Sequence, residues 1–215
     1  MSAKWLLAAP ALLALWVAKD MTISQTTSLT RFDGREVGRL ETAMWRSYYA
    51  HQRLRLFGEL VDLMRHQYHL PFWRANLAAW HAARAAVVFQ RGHNRAGYEL
   101  ALPHLRDYYT IIRRSSDRPF SVDTVARLEL EWWIVHRERA RHAPQDLERS
   151  LAALQAAIFQ RPEALFREHA KSRAVAMSLC DAVQAGGHAT EQDWGRIEAL
   201  LDSSWTSLHE AVVQY

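Results

Sequence analysis

An all-α fold, a single-domain bundle of about seven helices joined by short loops, is predicted by three observations. Chain breakers are scarce, with only 8 Gly and 6 Pro in 215 residues, while Ala, Leu, Arg and Glu are abundant. Helix-start signals recur along the chain, each followed by apolar residues at intervals of three and four. No stretch alternates apolar and polar residues over the length of a strand. A hydrophobic share of 49% and a length within reach of one domain suit a single core, placed at residues 31–215.

Residues 1–30 are set apart as a hydrophobic segment and linker. Within them residues 5–18, WLLAAPALLALWVA, carry no charge but fall short of the roughly 20 apolar residues that span a bilayer. A signal-peptide core is one reading, although cleavage after Ala18 would put bulky Trp16 where a small residue is wanted. Translation from Met21 is another. The chain is expected to be cytoplasmic, with export or membrane anchoring through residues 5–18 as the alternative.

The first bundle helix should start at FDGRE, where Asp33 and Glu36 have capping-box spacing and Phe32 and Val37 can staple it. It is predicted to run to about residue 67, where Pro71 forces the preceding residue out of helical geometry. A second helix opens at Pro71 and closes near Gly92. A third covers about 95–114, bent at Pro103. Ser121 caps the fourth, with Phe120 and Val125 as its staple. Pro144 and Pro162 mark the first turns of the fifth and sixth, the latter stopped by AGG at 185–187. Thr190 and Asp193 cap the last, whose apolar face runs through Trp194, Ile197, Leu201, Trp205, Leu208 and Val212.

Charge and cysteine content remove several function classes. The chain is mildly basic overall, +4, with the acidic excess gathered beyond residue 144. Its arginines are scattered, and no RRM or zinc-finger signature accompanies them, so nucleic acid is not the expected partner. The single cysteine, Cys180, excludes an intrachain disulfide and a cysteine-rich zinc site. There is no glycine-rich phosphate loop, and AGGHA reads as a helix stop.

The candidate site lies around ARLELEWWIVHRERARH, residues 126–142. At about 100 degrees per residue, Glu129 and His136 share a face with Val125, Ala126, Trp132, Trp133 and Ala140, whereas Glu131 and Glu138 project away with Arg127. In the second helix Arg84 falls within a stripe of Trp73, Leu77, Trp80, Val87 and Val88. An inward guanidinium requires an anion, and Glu129 is the expected partner. Glu41 and Tyr48, beside Trp45 on the first helix, are expected to reach the same interior. The candidate ligand-binding residues are therefore Arg84, Glu129, His136, Glu41 and Tyr48.

Three readings fit such a cluster. It can be a structural ion-pair network, or a pocket in which Arg84 takes an anionic group and tryptophans stack on an aromatic ligand. Alternatively, Glu41, Glu129 and His136 can form the metal or cofactor site of a helical-bundle enzyme. Di-iron bundles use Glu-x-x-His motifs, and this chain has none. Glu129 and His136 also stand about 10.5 Å apart along one helix axis, too far to chelate one ion readily. Ser172, His169 and Cys180 share a face, but no acid is placed to orient a base. His66 and His69 are expected to be solvated. The expected function is accordingly a helical binding or interaction protein, with a protein or a small anionic or aromatic ligand as partner; no cofactor is indicated.

Overall fold

Helix covers nearly all of the computed structural model, which describes residues 3–22, 25–187 and 189–214, with backbone only for residues 3–8. The helices are α1 (Ala3–Thr22), α2 (Gly34–Tyr49), α3 (Arg53–Tyr68), α4 (Phe72–Arg91), α5 (Arg95–Glu99), α6 (Leu102–Arg114), α7 (Val122–Arg137), α8 (Asp146–Phe159), α9 (Arg167–Ala185) and α10 (Glu191–Val213). Two 3-10 turns, Arg139–Arg141 and Glu163–Phe166, precede α8 and α9. The fold is all-α, and among the described residues there is no strand beyond one isolated bridge between Thr27 and Ser116.

The expected caps form. Asp33 accepts from the main-chain nitrogens of Arg35 and Glu36, and Ser121 from that of Thr124. Thr190 and Asp193 satisfy each other's backbone reciprocally. Glu36, however, turns away from Asp33 and pairs with Arg39 at 2.7 Å.

More helices appear than the seven expected because two predicted helices are each divided and the N-terminal segment forms α1. Residues 33–67 break at His51, which takes φ 56 in the left-handed region. The nitrogens of His51 and Gln52 donate to the carbonyls of Tyr48 and Ser47, closing a Schellman-type end without glycine. The 95–114 segment breaks at Leu100 and Ala101, and Pro103 lies in the first turn of α6 instead of bending a helix. There the missing N–H costs nothing, since first-turn donors have no partner within the helix.

Helix packing closes on itself. Each of α2, α3, α4, α6, α7, α8, α9 and α10 lies against the next in that order, and α10 returns to α2. That last contact is close because α2 begins with glycines one turn apart. A Cβ on Gly34 would stand 2.7 Å from the Thr206 nitrogen, and one on Gly38 2.8 Å from that of Asp202.

Residues 25–32 are stitched to the bundle. Thr27 exchanges main-chain bonds with Ser115 and Asp117, and Leu29 and Phe32 are buried. Asp20 near the end of α1 accepts from the Trp73 nitrogen at 2.7 Å, capping α4, and Trp16 stacks on Phe72 at 5.4 Å. No described helix is long and apolar enough to cross a membrane.

Candidate functional site

The inward faces of the closed packing carry two carboxylates, and neither meets the cation expected from the sequence. Glu41, on α2, is 2% exposed. Arg173 from α9 grips both its oxygens, at 2.6 and 2.5 Å, and the Trp205 indole of α10 donates to Oε2 at 2.6 Å. The Arg173 guanidinium also lies over the rings of Trp205 and Trp132, 5.4 and 5.9 Å from their centroids. Three helices are thereby tied through one bidentate charge pair roofed by indoles.

Glu129, on α7, accepts from the Tyr109 hydroxyl at 2.7 Å and from the Trp133 indole at 3.0 Å. Burial raises its carboxyl above the usual range, against those hydrogen bonds and the attraction of Arg173. Tyr68 of α3 and Tyr108 of α6 bond to each other beside it. Burial, reinforced by the Glu129 charge, pushes the hydroxyls of Tyr108 and Tyr109 well above their ordinary value. They are hydrogen-bond donors, and none is poised to lose its proton near neutral pH.

The expected Arg84–Glu129 pair does not form. Arg84 is exposed and lies over the outward-facing Trp80, 5.8 Å from the ring centroid. The buried face of α4 is made instead of Ala75, Ala78, Ala79 and Ala85, all inaccessible to solvent, while Trp80 is 53% exposed. Small side chains let α4 approach its neighbours closely, so Trp80 and Val87 of the apparent stripe stand outside while Trp73, Leu77 and Val88 are half-buried at its edge. Tyr48 is also outside, 48% exposed and edge-on to Tyr49.

His136 joins a different group. Its Nε2 is 3.0 Å from Asp181 Oδ2, which Arg139 reaches at 2.6 Å, and Tyr49 donates to the other oxygen at 3.3 Å. Burial pushes Asp181 up, but the neighbouring His136 and Arg139 outweigh it and hold the carboxyl below its usual value. Cys180 next to it is buried, and burial raises its thiol to about 11, so it is a packing residue rather than a nucleophile.

His169 is directed away from Ser172 and toward Ser204 of α10, whose Oγ is 2.8 Å from Nδ1. Both are fully enclosed, and burial depresses the imidazole to about 3. No acid orients this pair, so it bridges α9 and α10 as a neutral hydrogen bond.

Glu41, Glu129 and His136 thus belong to three separate polar groups, with both oxygens of each of the two carboxylates engaged by protein donors. Among the described residues their ligand atoms do not converge on one point. Among the described residues the trio of potential ligands that does converge is His81, His104 and Asp107, between α4 and α6. Two open surface recesses are lined by neither Glu41 nor Glu129. One of about 300 Å³ is lined by His93, Tyr98, Arg137, Glu138 and Arg141, and one of about 180 Å³ by Arg95, Glu99, Arg127 and Glu131.

Arg173 was legible by the same test that singled out Arg84. It shares a face of its helix with His169, Ala170, Ala174, Met177 and Cys180, all of them buried. Compared with known proteins, the chain matches no family model, no curated protein and no solved structure, so its site is assigned from its own geometry.

Proposed function

We propose that the chain is a helical interaction protein of the cytoplasm that docks on an anionic lipid surface through α1 and the adjoining face of α4. On this reading the Glu41 and Glu129 groups are structural. Both oxygens of each carboxylate already accept from within the protein, from Arg173 and Trp205 at Glu41 and from Tyr109 and Trp133 at Glu129.

The observation that carries the proposal is the uncovered apolar surface of α1. Leu12 and Leu15 are each 66% exposed, Leu13 and Trp16 are close to half exposed, and Phe72 and Trp80 extend the surface along α4. Apolar patches of this extent mark interaction sites. Exposure runs around most of the α1 circumference from residue 9 to residue 16, more than one flat protein groove covers. A fluid apolar phase covers it without a shaped partner.

Charge favours the same occupant. On the described parts of α1 and α4 the exposed basic residues are Lys19, Arg84 and Arg91, and the only acid is Asp20, which is buried and caps α4. Lys19 near the end of α1 can snorkel while Leu12 and Leu15 enter the acyl region, and Trp16 suits the headgroup boundary. A basic, apolar face fits the anionic cytoplasmic leaflet.

Flotation of the full chain with vesicles of phosphatidylserine and phosphatidylcholine tests this. The wild type is expected to float with anionic vesicles, and a Leu12→Asp, Leu15→Asp variant with unchanged circular dichroism to stay behind. Equal flotation of the variant, or none by the wild type, overturns the proposal. If the wild type instead self-associates and the variant does not, the face serves a second copy of the chain.

A further inference from the structure

Two imidazoles and a carboxylate converge in the seam between α4 and α6, apart from the groups that hold the bundle together. His81 comes from α4, whereas His104 and Asp107 stand one turn apart near the start of α6. One ligand atom from each lies within 4.8 Å of the others. Nδ1 of His81 is 3.4 Å from Oδ2 of Asp107, and the two imidazole rings are 6.3 Å apart. That Nδ1 is shielded from solvent yet makes no hydrogen bond. A polar nitrogen so placed is normally satisfied, and the Asp107 carboxylate beside it does not meet it with hydrogen-bond geometry.

We propose that His81, His104 and Asp107 bind a divalent transition-metal ion of the zinc class. The donor set selects that class. Two imidazoles and one carboxylate suit zinc, cobalt or ferrous iron, whereas calcium and magnesium take oxygen ligands almost exclusively. The spacing suits it as well. Two ligands at about 2.0 Å from a tetrahedral ion are about 3.3 Å apart, close to the His81–Asp107 separation. A ligand atom of His104 lies within 4.8 Å of both, near enough to complete the trio.

Both ends of the site are held by packed backbone, because α4 and α6 are neighbours in the closed ring and Ala78, Ala79 and Leu105 are buried around the seam. Asp107 is 60% exposed, so an ion can enter from solvent. With three protein ligands, at least one coordination position stays open to water or to another ligand, as in catalytic rather than fully closed structural zinc sites.

A simple ion pair between His81 and Asp107 would make no use of His104, and the test turns on that difference. The full chain is titrated with cobalt(II), followed by its visible absorption, and with zinc(II) by calorimetry. One equivalent is expected to bind, with affinity falling at least ~10-fold in each of His81→Ala, His104→Ala and Asp107→Asn. His93→Ala, which removes a surface histidine elsewhere, is expected to change nothing. No stoichiometric binding, or a His104→Ala protein that binds as tightly as wild type, overturns the site. Circular dichroism of each variant, together with retention of the wild-type melting temperature by metal-free Asp107→Asn, separates lost ligation from lost folding.

Discussion

Arg173 and Glu41, 132 positions apart in the chain, meet inside the bundle as a bidentate pair that ties α9 to α2, with Trp205 of α10 donating to the same carboxylate. A charge pair buried to this degree holds its geometry because either partner alone would be stranded in a medium that solvates it poorly.

Removing that cation should therefore be costly. Arg173→Met is expected to lose about 3–5 kcal/mol of unfolding free energy, since Glu41 would remain buried without a counter-charge. Arg84→Ala, which removes an exposed guanidinium resting on Trp80, is expected to lose less than about 1 kcal/mol. Urea denaturation of both variants checks the contrast, and equal losses would contradict the assignment of Arg173 as the buried partner.

Glycine has opposite meanings at two positions. At Gly38 an added methyl would collide with the Asp202 backbone, so Gly38→Ala is expected to destabilise by about 1–3 kcal/mol. Gly58 lies inside α3 with nothing within 4 Å of its would-be Cβ, so Gly58→Ala should stabilise by about 0.5–1 kcal/mol. Midpoints of thermal unfolding should move in opposite directions.

His169 makes stability depend on pH. Free histidine titrates near 6.5, but here burial holds the imidazole at about 3, so below 6.5 the unfolded chain binds a proton that the folded chain does not. Stability from this group is complete above about 6.5 and is lost as pH falls toward 3, by at most about 5 kcal/mol. His169→Gln should flatten the stability profile between pH 6 and 4, measured as the denaturant midpoint against pH.

Glu129 acts in the other direction. Its carboxyl is raised in the folded state, so the folded chain keeps a proton that the unfolded chain releases as pH climbs past the ordinary carboxylate range. The stabilisation belongs to the acid side and declines through that window. Glu129→Gln is expected to remove this slope and to cost about 1–2 kcal/mol near neutral pH, because one amide oxygen must serve both Tyr109 and Trp133. Glu131→Gln, which loses only the partly exposed contact with Arg95, should stay under about 1 kcal/mol.

The sequence by itself determined the helical class, the caps at Asp33, Ser121, Thr190 and Asp193, and the inward position of Glu41 and Glu129, because those signals are local to one helix. Helical phase alone gave α4 the wrong inner face, since alanines that permit close approach weigh little beside tryptophans that mark an apolar stripe. The break at His51 had no glycine to announce it; a Schellman end formed there in a residue that seldom adopts the left-handed conformation. Only the tertiary structure decided that Arg173 rather than Arg84 serves the buried carboxylate, and that His81 meets His104 and Asp107. Each of those meetings joins different helices, and the closed packing order that brings them together is fixed by shape complementarity between faces, which no window along one helix contains.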